Sequence, residues 1–394
     1  MGVIFANPLE ELVEFQEMNR DLEQGKGPLQ VSGCVDSQKV HLISETAGSL
    51  RWKLIVTYDD SRAREIYEDY RTFDPAVFLY PAKDLLFYSS DIHGNLLTRQ
   101  RMQDEAGTIV TTVDGLMDRL LPLSEIRNSR IAVVSGESLK TEEMKEALAG
   151  LGYERVGQVD GMGQFSVRGG IIDIFPLTEE LPVRIELWGD EVDSIRSFDP
   201  ESQRSVEELE RVEICPATEL LLEKSRVEKG LSKIEKEMKK YGKALRDQMK
   251  NEEAHRIEGL VRELSEEIRE GFKVHGLGGF IQYFAEKTVS FLEYFPKEEP
   301  AVFLDEPLRI REKAEAVELE FRESMAHRLE GGYLLPGQTD FLYSAKATAA
   351  MMSGSHTLLV SGLDQRMTGF SVKKKYSIEA KSMGSYQNGF EMLI

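Results

Sequence analysis

The sequence predicts an α/β chain: a parallel sheet covered by helices, with a smaller antiparallel α+β unit inserted into it. Three observations carry this. Short apolar runs alternate with charged helical patterns through the first third of the chain. Closely spaced strands separated by tight turns occupy about residues 164–198. The buried-strand style then returns at 301–306 and 357–360, as though the first fold resumed.

Taken in order, the run 53–58 ends at Asp59-Asp60 and a charged amphipathic helix is expected over 63–70. Runs 76–81 and 107–113 supply further buried strands, the second leading straight into Asp114 and a helical 115–121. After the strand 131–134, Thr141 is placed to cap a helix that runs to Leu148 and stops at Gly150 and Gly152. Strands 164–174, 183–188 and 192–198, with turns at 176–182 and 189–191, form an antiparallel meander. Residues 219–269 are dense in Lys and Glu. Leu231, Ile234, Met238, Tyr241 and Leu245, then Ile257, Leu260, Val261, Leu264 and Ile268, repeat at three-four spacing and predict two helices broken near Asn251. Residues 292–295 read as another buried strand, and beyond Gly362 the chain turns polar. The expected division is 1–127 for the first part of the parallel domain, 128–215 for the insert, 216–360 for the second part with its charged helices, and 361–394 for a tail or the start of a following domain.

Composition narrows the function. Forty-nine Lys and Arg against 69 Asp and Glu leave a net charge of −20, a field that repels nucleic-acid backbones and anionic lipid. Cys34 and Cys215 stand far apart, giving neither a disulfide framework nor metal-ligand spacing, and a reducing, cytoplasmic setting is expected. The start has no basic region before Glu10 and Glu11, and no apolar run approaches the roughly 20 residues of a spanning helix. His41, His93, His255, His275, His327 and His356 show no pair at zinc-binding helical spacing, so no metal is expected. No Gly-x-Ser-x-Gly elbow occurs, and the Gly276–Gly279 cluster reads as a turn.

The nearest approach to a phosphate loop is Gly33-Cys34-Val35-Asp36-Ser37-Gln38-Lys39-Val40. Such a loop needs a second Gly for close backbone approach, a Lys for charge and a hydroxyl for magnesium. Gln38 replaces the Gly, Val40 has no oxygen for the metal, and Asp36 puts negative charge into the nest, so nucleotide binding is unfavourable. Asp305-Glu306 ends an apolar strand where an ATPase presents a magnesium-linked Asp and a water-activating Glu. Pro307 and Leu308 follow, so the DExH pattern lacks its His, and a helix-start role is the ordinary alternative.

The strands of the insert are the most informative stretch. Alternation places Val183, Ile185 and Leu187 on one face and Arg184, Glu186 and Trp188 on the other; Phe165 and Val167 point inward and Arg168 outward, with Arg196 and Arg204 nearby. Arg and Trp are enriched at binding hot spots. Two readings stay open: a partner surface, or arginines paired with Glu186 and nearby acids across the strands while Trp188 packs under a helix.

Residues 163–176, 184–196 and 198–204 resemble the signature shared by the UvrB and Mfd families, and the similarity extends through Tyr80-Pro81-Ala82, Tyr88, Arg99, Arg101 and 109–121. It spans about residues 25–220, and more loosely continues to about 360. UvrB keeps a working phosphate loop and helicase motifs, which Gln38, Val40 and Leu308 depart from, so the chain is more similar to the amino-terminal UvrB-like module of the bacterial transcription-repair coupling factor family. The resemblance implies a degenerate helicase-like domain without ATP hydrolysis and an inserted domain that binds UvrA and is masked by the motor in the resting parent. ATP, RNA polymerase and DNA would be met only by translocase and polymerase-binding domains outside this sequence. By motif, the UvrA-contacting positions fall on Arg168, Arg184 and Trp188, the last where the family commonly has Phe, and extend to Arg196 and Arg204. The degenerate nucleotide site falls on Gly33, Gln38, Lys39, Val40, Asp305 and Glu306. An ATP-dependent UvrB-type helicase subunit is the alternative, and direct DNA binding through the arginine face is a third.

Overall fold

β-Branched and aromatic runs with no polar interruption become strands buried on both faces. In the computed structural model, which describes residues 8–35, 37–83, 106–218, 220–221, 224–270, 277–296 and 299–378, the first of these elements are α1 (Val13–Glu23), β1 (Leu29–Ser32), α2 (Ser37–Glu45), β2 (Trp52–Thr57), α3 (Asp60–Tyr70), β3 (Val77–Tyr80) and β4 (Gly107–Thr112). α3 begins where Asp59 accepts the Arg62 backbone N–H at 2.7 Å, three residues earlier than the periodicity predicts. The chain then builds β5 (Ile131–Val134), β6 (Glu154–Arg155), β7 (Gln164–Arg168), β8 (Ile171–Ile174), β9 (Val183–Trp188), β10 (Glu191–Phe198), β11 (Ser205–Leu209) and β12 (Arg211–Ile214). Two long helices follow, Lys224–Asp247 and Asn251–Glu270, before β13 (Ala301–Asp305), the helix Pro307–Glu330, β14 (Thr357–Ser361) and β15 (Lys374–Ser377).

Seven strands form one parallel sheet in the order β15-β1-β14-β13-β2-β4-β3. Along β2, Trp52, Leu54 and Val56 pack into the core on one face with Ile109 and Leu304, while Ile55 joins Val31, Val110, Phe303 and Leu358 on the other. The tail expectation needs correcting here: residues 374–377 are the edge strand of this sheet, paired in register with β1 from Leu29↔Lys374 to Ser32↔Ser377. Asp21 of α1 holds that strand, accepting from Lys374 Nζ at 3.0 Å and from Tyr376 Oη at 2.6 Å. Polar composition concealed the strand because its outer side faces solvent.

The second sheet runs β11-β10-β9-β8-β7-β6. It is antiparallel except for β6 and β7, which pair in parallel, while β5 and β12 form a separate two-stranded antiparallel sheet. Its inner face, with Ile172, Ile174, Val183, Ile185, Val192 and Ile195, shares one core with the apolar stripe of the two long helices and with Phe321 and Met325. Leu231, Ile234, Leu245, Ile257, Val261, Leu264 and Ile268 are buried in that core as the spacing predicts, whereas Leu260 lies off the stripe and is exposed.

Two local expectations fail. The helix Thr141–Gly150 starts at Thr141, with Lys140 in the N-cap position and no side-chain cap; Glu142 and Glu143 complement its N-terminal dipole instead. Residues 292–295 form no strand, because Phe291–Tyr294 is a 3-10 turn whose Glu293 carboxylate accepts the Ser290 N–H at 3.1 Å. Among the described residues no helix is long and apolar enough to cross a membrane, and no group of three His, Cys, Asp or Glu is placed to hold a metal.

Candidate functional site

The sheet register assembles the outer face of the insert. Asp173 of β8 lies opposite Arg184 of β9, Arg184 opposite Arg196 of β10, and Glu186 opposite Ser194. Asp173 is 1% exposed, and its carboxylate is the hub of the face. Oδ1 accepts Arg184 Nε at 2.7 Å, and Oδ2 accepts Arg184 Nη2 at 3.0 Å and Arg168 Nη2 at 2.7 Å. The fork of Arg184 is therefore met in bidentate fashion. These bonds to Asp173 raise the Arg184 pKa further above its ordinary value. Arg184 also donates to Gln203 Oε1 at 3.3 Å, and its guanidinium carbon stands 4.6 Å from the centroid of the buried Phe198 ring.

Arg168 and Arg196 are exposed to roughly half their side-chain surface or less, at 52% and 41%, so each still presents donors to solvent. Arg196 approaches Glu186 only at 4.0 Å, while Glu186 accepts from Ser194 Oγ at 3.1 Å. Arg204 is exposed after the turn, its carbonyl accepting the Asp199 N–H at 2.9 Å. Trp188 is 83% exposed at the end of β9. The turn beside it is pinned: Gly189 takes φ 64, and the Leu139 N–H donates to the Asp190 carbonyl at 2.7 Å. A large indole is thus displayed beside a turn whose backbone is held in place.

Of the two open readings, the cross-strand pairing is answered in part. The arginines do pair with an acid across the strands, but the acid is Asp173 more than Glu186, and Trp188 packs under no helix among the described residues. Asp173 is the residue of this face that sequence reasoning missed. Its signal was a lone carboxylate within the apolar run Ile171-Ile172-Asp173-Ile174, a position that burial permits only with a cation beside it.

The residues of the phosphate-loop reading converge at the ends of β1, β13 and β14. Lys39 Nζ contacts Asp305 Oδ1 at 2.9 Å and Glu306 Oε1 at 2.6 Å. Asp305 Oδ2 accepts from Thr57 Oγ1 and Arg62 Nε, each at 3.1 Å. Burial alone would push the Lys39 pKa down; the two carboxylates outweigh it and hold the ammonium above the ordinary lysine value. Gly33 takes φ 99, and a Cβ there would stand 2.1 Å from the Ile378 carbonyl, so the return of β15 accounts for this glycine without a phosphate. Gln38 Oε1 accepts the Val35 N–H at 3.4 Å, and Val40 is buried in the core. Nucleotide and magnesium do not fit this set: the ammonium is committed to carboxylates, the loop donor faces a side-chain amide, and position 40 offers no oxygen. Asp36, Tyr88, His93, Arg99, Arg101, His275 and Gly276 lie outside the described residues.

A family model described as the UvrB interaction domain matches residues 131–220, from β5 through the whole second sheet to Leu220. Residues 131–220 are thus similar to UvrB interaction domains. Beyond it, the chain is similar to transcription-repair-coupling factors: 31% identical over 337 residues to that of Bacillus subtilis (strain 168), covering 83% of this chain and 28% of the relative. The factor of Staphylococcus aureus (strain USA300) is 29% identical over 358 residues, covering 86% of this chain and 29% of the relative. That of Staphylococcus epidermidis is 29% identical over 363 residues, covering 88% and 30%. The chain thus spans less than a third of the length of these relatives. The Arg168, Arg184, Trp188, Arg196 and Arg204 face lies wholly within the matched residues.

Proposed function

We propose that this chain is a non-catalytic docking module of transcription-coupled nucleotide excision repair, and that the outer face of its UvrB interaction domain binds UvrA. The observation that carries the reading is Trp188, 83% exposed on a pinned hairpin beside arginines fixed by one buried carboxylate. An aromatic anchor flanked by pre-oriented guanidinium groups is the composition of a binding hot spot, and fixing the side chains beforehand lowers the entropy lost on association. Mechanism here means partner exchange. Trp188 supplies contact area, Arg168 and Arg196 supply donors that still reach solvent, and Asp173 ties Arg184 and Arg168 to one carboxylate.

The commitment of Lys39 to Asp305 and Glu306 supports a module that takes no ATP and performs no hydrolysis. By resemblance, translocase domains of a longer parent cover the face at rest, and RNA polymerase and DNA engage only those other domains. Isothermal titration of purified UvrA with this chain tests the reading. Saturable binding that Arg184→Ala with Trp188→Ala weakens by roughly thirtyfold, about 2 kcal/mol, supports it; unchanged affinity removes it.

A further inference from the structure

Glu306 stands in the left-handed region, at φ 56 and ψ 67, a backbone conformation that is strained for a non-glycine residue. What that backbone achieves is placement of its carboxylate. Oε1 receives Lys39 Nζ at 2.6 Å and the Gly362 backbone N–H at 2.9 Å, joining α2, the end of β13 and the end of β14. A lysine ammonium and a main-chain N–H converging on one anionic oxygen is the donor pattern with which a phosphate loop holds phosphate. Here the oxygen belongs to the protein.

We propose that Glu306 is the resident anion of a degenerate phosphate cradle, and that removing its carboxylate opens a site for inorganic phosphate. Charge supports this. Lys39 and Arg62 face Asp305 and Glu306, and Glu65 also pairs with Arg62 at 2.9 Å, three carboxylates against two cations, so loss of Glu306 removes the excess negative charge that repels an incoming anion. Access supports it as well, since the Glu306 side chain is 27% exposed while those of Lys39 and Asp305 are 8% and 2%. An anion replacing the carboxylate would enter from solvent without displacing the core. The inference is independent of the UvrA reading, because the cradle lies in the parallel sheet and not in the matched domain.

The test is Glu306→Gly, which removes the carboxylate and suits the left-handed backbone. Inorganic phosphate is titrated calorimetrically into the whole chain at ionic strength held constant with chloride. The variant is expected to bind phosphate at least tenfold more tightly than the unsubstituted protein and to gain Tm with phosphate, and Lys39→Met added to it abolishes both effects. Should Glu306→Gly fail to fold, Glu306→Asn, which also tolerates the left-handed region, is read the same way. A folded variant that binds phosphate no better than the parent, or binding that survives Lys39→Met, overturns the proposal.

Discussion

Replacing Asp173 with Asn keeps the volume of the side chain and one acceptor oxygen but removes the charge that gathers Arg168 and Arg184. Three hydrogen bonds to a charged carboxylate are affected, each of the kind that contributes about 1.5–3 kcal/mol when formed between charged groups. The sum overstates the loss. Arg168, 52% exposed, returns to water at little cost, and Asn retains an acceptor for one bond. Arg184, 17% exposed, keeps Gln203 and the Phe198 ring but loses its bidentate partner. The net destabilisation is about 2 kcal/mol, corresponding to a Tm fall of roughly 8–16 °C for a unit of about 90 residues. Binding suffers separately, because two arginines must then be immobilised on association, at about 0.5–1.5 kcal/mol each. Thermal melting by circular dichroism measures the first effect, and calorimetric titration with UvrA measures the second well below the variant's melting point. A variant that melts with the parent and binds UvrA equally well would refute the reasoning that Asp173 organises the face.

Other outcomes follow from single groups. Trp188→Ala changes Tm by less than about 1 °C, since the indole is 83% exposed, yet weakens UvrA binding by tenfold or more; a large loss of Tm would show that the indole is structural. Burial lowers the Lys53 pKa to about 8, while its ammonium donates to the Ser44 carbonyl at 2.6 Å. Its folded pKa lies below the unfolded value, so the unfolded chain binds more protons between the two and stability rises as pH climbs from about 8 towards 10. In Lys53→Met that part of the rise is absent in denaturant titrations compared across those pH values. Asp21 has its pKa driven far below the carboxylate range by hydrogen bonds from Lys26, Tyr376 and Lys374. Its stabilisation is complete above the unfolded carboxylate pKa and is lost as pH falls toward the depressed folded value. Asp21→Asn therefore weakens β15 at neutral pH, seen as faster amide hydrogen exchange over 374–377, and reduces the acid sensitivity of that strand.

The parallel sheet was legible because strands buried on both faces leave short runs centred on consecutive apolar residues, as in 53–57, 107–112, 301–305 and 357–361. β15 was not, because an edge strand needs only one inward side chain: Tyr376 is buried while Lys374 and Lys375 face out. Strand alternation correctly set Arg184 and Trp188 on the solvent side, since a period of two fixes the face without knowledge of the neighbours. It was silent about Asp173, whose partners come from β7 and β9 and become visible only once the register is known. The phosphate-loop residues were legible as a failed motif, through Gln38 and Val40. The αL backbone of Glu306, which turns the failure into an internal ion cluster, depends on how β13 meets the following helix and leaves no mark in the local sequence.

The central claim is that a pinned aromatic and ordered arginines make this domain a UvrA-docking face. Calorimetric titration of UvrA into the chain and into its Arg184→Ala, Trp188→Ala variant, with both melting curves recorded, tests it most directly. Saturable binding by the parent and a roughly thirtyfold loss in a variant that remains folded at the titration temperature are expected. Equal affinity of the two proteins for UvrA, or no binding by the parent at all, would contradict it.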